Sequence, residues 1–313
     1  MATVWAWPRG PRQRLPRTVA PFAYEAATSY AARLAHANRI GVHTLRGYVA
    51  ESCNARPRPD WLAAVSGQSE QVIRARLRGL AGEPGALKQN MRRPLCRRCM
   101  AGKGIREPVY CYLPAHRTVC HRHRRWIGPL AHTLDNQLDL RDCPQVLRAA
   151  RIHWRLANRY AELDLRAALG DARHMLIYWA HAEQREAAAI LQAGLHAHVS
   201  AYPEVISIAA TLLTARPQIE HADGSTLSAS ALLIVRIGER TTTHHNDDTP
   251  VEQWVQHHRL ESLSDHRRQS DESPVSSTNA RTRSAISRSR RIRISSVAER
   301  EESRRDQRRH GCS

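Results

Sequence analysis

The sequence predicts a mainly α fold, and three observations predict it. Apolar residues recur at helical spacing in several separate segments, helix-capping residues punctuate their ends, and cysteines and a histidine at metal-ligand spacing mark a small module in the middle. With 313 residues, 42% of them hydrophobic, the chain is long enough to bury a core of two small domains or one extended helical body.

The first helix runs from Glu25 to Asn38, where Ala27, Tyr30, Ala31, Leu34 and Ala35 follow the i, i+3, i+4, i+7 pattern of one buried face. Gly41 breaks it, and a second short helix runs from Val42 or His43 to about Glu51. After the polar linker Arg56-Pro57-Arg58-Pro59 comes a pair of helices between Trp61 and Leu80. Gly67 suits the left-handed end of the first, and Ser69 caps the second by accepting a bond from a free backbone N–H. The outcome is a helix-turn-helix-like N-terminal region over residues 25–81. Val72, Ile73, Leu77 and Leu80 face its core, and Gln71, Arg74 and Arg78 form an outward stripe that could reach phosphates or base edges. Packing against neighbouring helices is the alternative use of the same pair.

Between residues 94 and 128 the chain reads Pro94-Leu95-Cys96-Arg97-Arg98-Cys99, then twenty positions, then Cys120-His121-Arg122-His123. Two soft thiolates two residues apart, followed by a thiolate and an imidazole at the same spacing, can close a tetrahedron around Zn²⁺. Cys96, Cys99, Cys120 and His123 are the expected ligands of one site, with Cys111, His116 and His121 competing for its third and fourth positions. Four protein ligands leave no place for an activated water, so such a zinc site is structural.

The C-terminal region, residues 142–263, is again helical. Asp142 or Cys143 can cap a helix with Pro144 in its first turn, continuing through Trp154 toward Tyr160. Further helices are expected over Asp171–Leu195 and Pro203–Thr214, and Thr249-Pro250-Val251-Glu252 has the pattern of a capping box that opens a last one. From Ser264 to Ser313 serine, arginine and acids alternate with almost no aromatic residue. Such a segment buries too little apolar area to offset its chain entropy and is expected to be a disordered basic tail.

The formal net charge is +19. Arginine in place of lysine is what GC-rich coding produces, but the excess of bases over acids is not. That excess is concentrated between Arg92 and Arg155, where fourteen Arg and Lys face four acids. A polyanionic partner follows, with DNA the expected one. Candidate nucleic-acid contacts are Gln71, Arg74 and Arg78 on the second helix of the pair, and Arg92, Arg93, Arg97, Arg98, Arg124 and Arg125 around the metal knuckles. Enzymatic chemistry finds no support: His244-His245 and His257-His258 lack a partnered nucleophile, and no glycine-rich phosphate loop is present. The odd number of cysteines, seven, argues against a disulfide framework. No stretch approaches the ~20 apolar residues that span a bilayer, so a cytoplasmic protein without membrane contact is expected.

Leu15-Pro16-Arg17, Pro21, Glu25, Ser29-Tyr30, Arg33-Leu34-Ala35 and Asn38, then the Leu62-to-Leu80 helix pair, then Cys96-x2-Cys99 and Cys120-x2-His123, resemble in this order the TniQ family. The resemblance covers roughly residues 15–128. It implies a non-enzymatic component of transposition that binds DNA or a DNA-bound targeting complex and recruits the ATPase regulator of the transposase. It also implies that Cys96, Cys99, Cys120 and His123 hold zinc while the N-terminal helices supply partner and DNA contacts. One departure is clear. Many members of the family continue with a second Cys-x2-Cys pair, whereas here His123 leads into Arg124-Arg125-Trp126-Ile127-Gly128 and the next cysteine is Cys143, alone. A stand-alone DNA-binding regulator and a protein-interaction module without DNA binding are the other functions compatible with this sequence.

Overall fold

The computed structural model describes residues 10–11, 13–52, 54–85, 87, 91–182, 194–220, 226–241 and 247–271. In chain order the elements are β1 (Glu25–Ala26), α1 (Ala27–Ala37), α2 (Val42–Tyr48), α3 (Pro59–Ser66), α4 (Glu70–Arg76), β2 (Leu77–Arg78), β3 (Arg93–Pro94), α5 (Arg97–Ala101), β4 (Tyr110–Cys111), β5 (Val119–Cys120), β6 (Arg125–Trp126), α6 (Pro144–Arg159), α7 (Glu162–Ala182), α8 (Gly194–Glu220), α9 (Thr226–Gly238) and α10 (Thr249–Asp271). The fold is mainly helical, with two small sheets around the cysteine–histidine region.

The N-terminal helices pack around Tyr30, Leu34, Leu45, Leu62, Val65, Ile73, Leu77 and Leu80. The helix-turn-helix shape forms as its punctuation requires. Gly67 ends α3 at φ 68°, a conformation that costs glycine little, and Ser69 accepts the Val72 N–H at 3.2 Å. Two details differ from the sequence reading. Helix α4 stops at Arg76, because Leu77 and Arg78 turn extended to pair in parallel with Glu25 and Ala26, and Val72 is only half-buried. At the end of α1 it is Arg39, at φ 56°, that takes the left-handed turn, while Gly41 caps α2.

A polar network fastens the segment before α1 to that helix. Glu25, fully buried, receives the Arg33 guanidinium at 2.7 and 2.8 Å and the Phe22 N–H at 2.9 Å. Arg33 also donates to the Ala20 carbonyl and lies over the rings of Phe22 and Tyr30. Tyr30 donates its hydroxyl to the Val19 carbonyl at 2.8 Å. Asn38 grips the backbone of Arg17 on both sides, accepting its N–H and donating to its carbonyl, each at 2.8 Å. Ser29 takes the Tyr110 N–H at 3.0 Å, which carries the network across to the metal-ligand region.

One sheet, in the order β2-β1-β4-β3, joins the helix pair to the first cysteine knuckle. The hairpin β5–β6 belongs instead to the C-terminal core. Trp126, fully buried, packs edge-on against Tyr202 of α8 at 5.0 Å, in a cluster that includes Val119, Leu140, Val146, Leu165, Met175, Ile206 and Leu212.

Helix α6 begins at Pro144 with Cys143 in the cap position, as its sequence requires. Helices α7 and α8 depart from expectation. The former starts at Glu162, with Gly170 inside it, and ends at Ala182; residues 183–193 lie outside the described residues. The latter runs through both Pro203 and Pro217. At α10 the cap is formed by the preceding loop: Asp247 Oδ1 accepts the Thr249 N–H at 2.9 Å, and the Asp248 carbonyl accepts those of Val251 and Glu252. Thr249 is thus already helical. Anchored by buried Val251, Trp254 and Val255, α10 continues to Asp271, since extending a formed helix adds a hydrogen bond per residue without a new nucleus. Residues 264–271 of the expected tail are therefore helical, and 272–313 lie outside the described residues. Among the described residues no helix is long and apolar enough to cross a membrane.

Candidate metal centre and the basic surface around it

Cys96 and Cys99 sit on a knuckle made where β3 runs into the short helix α5, with Cys96 in the cap position. Cys120 and His123 sit on a second knuckle, the turn of the β5–β6 hairpin, which Arg124 closes at φ 47°. The two cradle their ligands alike. Backbone N–H groups of Arg98 and Cys99 point to Cys96 Sγ, and that of His123 points to Cys120 Sγ. The ligand atoms of all four residues lie within 4.8 Å of one another. Cys99 Sγ is 3.6 Å from Cys120 Sγ, and His123 Nδ1 is 3.1 Å from Cys99, 3.6 Å from Cys96 and 3.7 Å from Cys120.

These distances suit a metal. A tetrahedron with Zn–S bonds of about 2.3 Å has S···S edges of about 3.8 Å. Three soft sulfurs and one imidazole nitrogen, at near-tetrahedral separations, can hold one metal ion, and the donor set favours zinc. Hydrogen bonds from Cys120, from the Cys99 and Arg98 amides and from His123 lower the Cys96 thiol, while the pairing with Cys96 and burial raise Cys120 and burial raises Cys99.

The competing residues stand elsewhere. Cys111 is fully buried in β4 opposite Arg93 and Glu25, and burial raises its thiol. His116 faces the ring of His153, and His121 is exposed on the second knuckle, outside the ligand group. Cys143 is half-buried against the C-terminal core.

Gln137 is the residue the sequence reading missed. Buried, it accepts the Arg97 N–H at 2.9 Å and donates to the carbonyls of Pro94 and Leu95 at 3.2 and 3.0 Å, fixing the first knuckle. Its own carbonyl receives Arg125 Nη1 at 2.6 Å, from the second hairpin. A path of hydrogen bonds therefore ties the two knuckles together beside the metal position. A lone glutamine in a loop carries no sequence signal of this.

The nine expected nucleic-acid contacts divide by exposure. Gln71, Arg74, Arg97, Arg98 and Arg124 are exposed, with Arg74 paired to Glu70 at 2.7 Å and Arg97 to Asp135 at 3.9 Å. Arg92 is half-buried, bonded to Thr28 and set over the Tyr110 ring. Arg78 turns back on the end of α4, donating to the Leu77 carbonyl at 2.7 Å, and lies over Tyr24. Arg93 and Arg125 are buried, and their guanidinia bond within the fold. Arg93 donates to the carbonyls of Leu113, Pro114 and Arg117, and burial brings it down to about 10, still cationic at neutral pH. Arg125 holds Gln137 and Asp139. A guanidinium that replaces a loop's water is not free to meet phosphate.

A buried chain of polar groups links hairpin and helices: Thr118 Oγ1 and His153 Nδ1 each lie 2.9 Å from the Tyr202 hydroxyl. Burial, then the charges of His116 and Arg93, bring His153 down to about 4 from the usual 6.5. Its neutral form is the folded one. Stability from this residue is thus complete above about pH 6.5 and is lost as pH falls toward 4, by as much as about 3 kcal/mol. Denaturant titrations at pH 7 and 4.5 should show a smaller acid loss for His153→Asn than for the wild type, since ligand protonation at the metal centre is common to both. Equal losses would contradict this.

Comparison with protein-family models, with curated proteins and with solved structures found no match to this chain.

Proposed function

We propose that this chain is a TniQ-like, zinc-stabilised adaptor that associates with DNA and brings other transposition proteins to a target, without catalysing a reaction itself. One observation supports this reading above others. The residues that carry the resemblance are not scattered: the Glu25–Arg33–Asn38 network, the α3–α4 pair and the first cysteine knuckle meet through the sheet β2-β1-β4-β3. Zinc, bound by Cys96, Cys99, Cys120 and His123, would then join that body to the second hairpin, which is rooted in the C-terminal helices. Its role is structural, because all four positions are filled by protein.

In this reading exposed Arg97, Arg98 and Arg124 supply phosphate contacts beside the ligand cluster, and Gln71 and Arg74, exposed on α4, contact base edges. Beside α5 an open cleft of about 400 Å³, lined by Met100, Ala101, Ile105 and Leu134 together with Arg97, Arg98, Arg106 and Glu107, offers a surface for a protein partner.

The test has two arms. The protein should bind duplex DNA with strong salt dependence, and replacing Arg97, Arg98 and Arg124 by glutamine should flatten the slope of log affinity against log salt by up to about 0.9 for each phosphate no longer neutralised. Co-expressed with the ATPase regulator of a TniQ-type transposition system, it should retain that ATPase through purification. A wild type that neither holds duplex at about 50 mM salt nor retains the ATPase overturns the reading.

A further inference from the structure

A second acid-free stretch of positive charge lies away from the knuckles. Helix α6 contains Arg148, Arg151, Arg155 and Arg159 and no Asp or Glu between Pro144 and Arg159. Its inner face is occupied: Val146, Ala149, Ala150, His153 and Leu156 are buried in the C-terminal core. At about 100° per residue the four arginines fall within about 80° of one another on the opposite face, over a length of about 16 Å. All four are exposed. Trp154 stands at the edge of the same face with 55% of its surface exposed, although an indole of that size is ordinarily covered.

Codon usage does not explain this face. Helix α7, next in the chain and made by the same coding, carries Glu162, Asp164 and Asp171 against Arg166 and Arg173, and Arg166 is paired with Glu162. On α6, among the described residues, none of Arg148, Arg151, Arg155 and Arg159 has a carboxylate partner; Arg159 lies over the Tyr160 ring. On the second knuckle Arg122 and Arg124 are exposed as well.

We propose that the outer face of α6 is a phosphate-binding surface for duplex DNA, with Arg148, Arg151 and Arg155 on the backbone and Trp154 against the sugars at its edge. The proposal rests on the DNA-binding part of the function above and assigns most of that binding to residues outside the family-like region. Guanidinia one helical turn apart along one face can meet neighbouring phosphates of one strand, and each neutralised phosphate releases counterion. An exposed indole adds apolar contact and no charge.

Binding of a short labelled duplex of arbitrary sequence, followed by fluorescence anisotropy between about 50 and 200 mM salt, separates the outcomes. The triple variant Arg148→Gln, Arg151→Gln, Arg155→Gln should lose affinity on the order of tenfold or more, with a salt slope shallower by about 2 to 3. Trp154→Ala should lose affinity severalfold at unchanged slope. Arg166→Gln with Arg173→Gln, on α7, should leave both quantities close to wild type, and circular dichroism should show all variants folded. A triple variant that binds with wild-type affinity and slope, while the wild type binds well, overturns this surface and leaves the proposed function standing. A wild type that does not bind duplex at about 50 mM salt removes this surface together with the DNA-binding part of the proposed function.

Discussion

Cys96→Ser or Cys120→Ser is expected to abolish metal binding and to unfold residues 94–128. The module's own apolar cluster is small: Cys96, Met100, Val109, Cys111, Leu113 and Ile127 are buried, with Phe22, Tyr24, Leu95 and Ile105 packed partly against them. In metal-organised modules of this size, binding and folding are one equilibrium, worth about 10 kcal/mol or more. Either variant should elute without zinc, show new protease cleavage within 94–128 and unfold at lower denaturant. The damage should spread in both directions, because the first knuckle is in register with the N-terminal sheet while the hairpin carries Trp126 into the C-terminal core. A serine variant with wild-type unfolding and an intact module would refute the assignment.

Arg33→Met should have the next largest effect. The Glu25–Arg33 pair is buried on both sides, with side-chain exposures of 0% and 5%. Removing the cation leaves a carboxylate in a dry site, held only by the Phe22 N–H and Ser29. Breaking such a pair from one side costs about 3–5 kcal/mol, a large part of the 5–15 kcal/mol that holds a typical domain together. The double change Arg33→Met, Glu25→Gln removes the stranded charge and should recover part of the loss. Urea unfolding midpoints measure both, and an Arg33→Met protein within about 1 kcal/mol of wild type would contradict the account.

Much of this architecture was legible because it depends on local rules. Gly67 and Ser69 punctuate the α3–α4 pair, Pro144 opens α6, and the cysteine–histidine spacing delivers four ligand atoms to one point, since each pair is close in sequence and only one long closure is needed. What was hidden depends on tertiary context. Two-residue strands such as Glu25–Ala26 and Leu77–Arg78 are too short to alternate, so the end of α4 could not be placed. Gly170, Pro203 and Pro217 look like breaks, yet packing of α7 and α8 in the C-terminal core overrides them.

Arginines were the least legible residues. Arg93 and Arg125 sit in the same basic run as Arg98 and Arg124, and nothing local distinguishes a guanidinium that saturates loop carbonyls from one that faces solvent. Conversely, the stripe on α6 was counted in the regional charge without being recognised as a face. Only the burial of Val146, Ala150 and Leu156 behind it shows which way the arginines stand. Gln137 is the extreme case, a single loop residue whose amide and carbonyl serve both knuckles.

Whether one zinc ion closed by Cys96, Cys99, Cys120 and His123 joins the N-terminal body to the rest of the chain is tested most directly by native mass spectrometry of the freshly purified protein. The expected mass is that of the 35.4 kDa chain plus a single zinc ion, with that ion absent from Cys96→Ser. A folded wild-type protein of metal-free mass would contradict it.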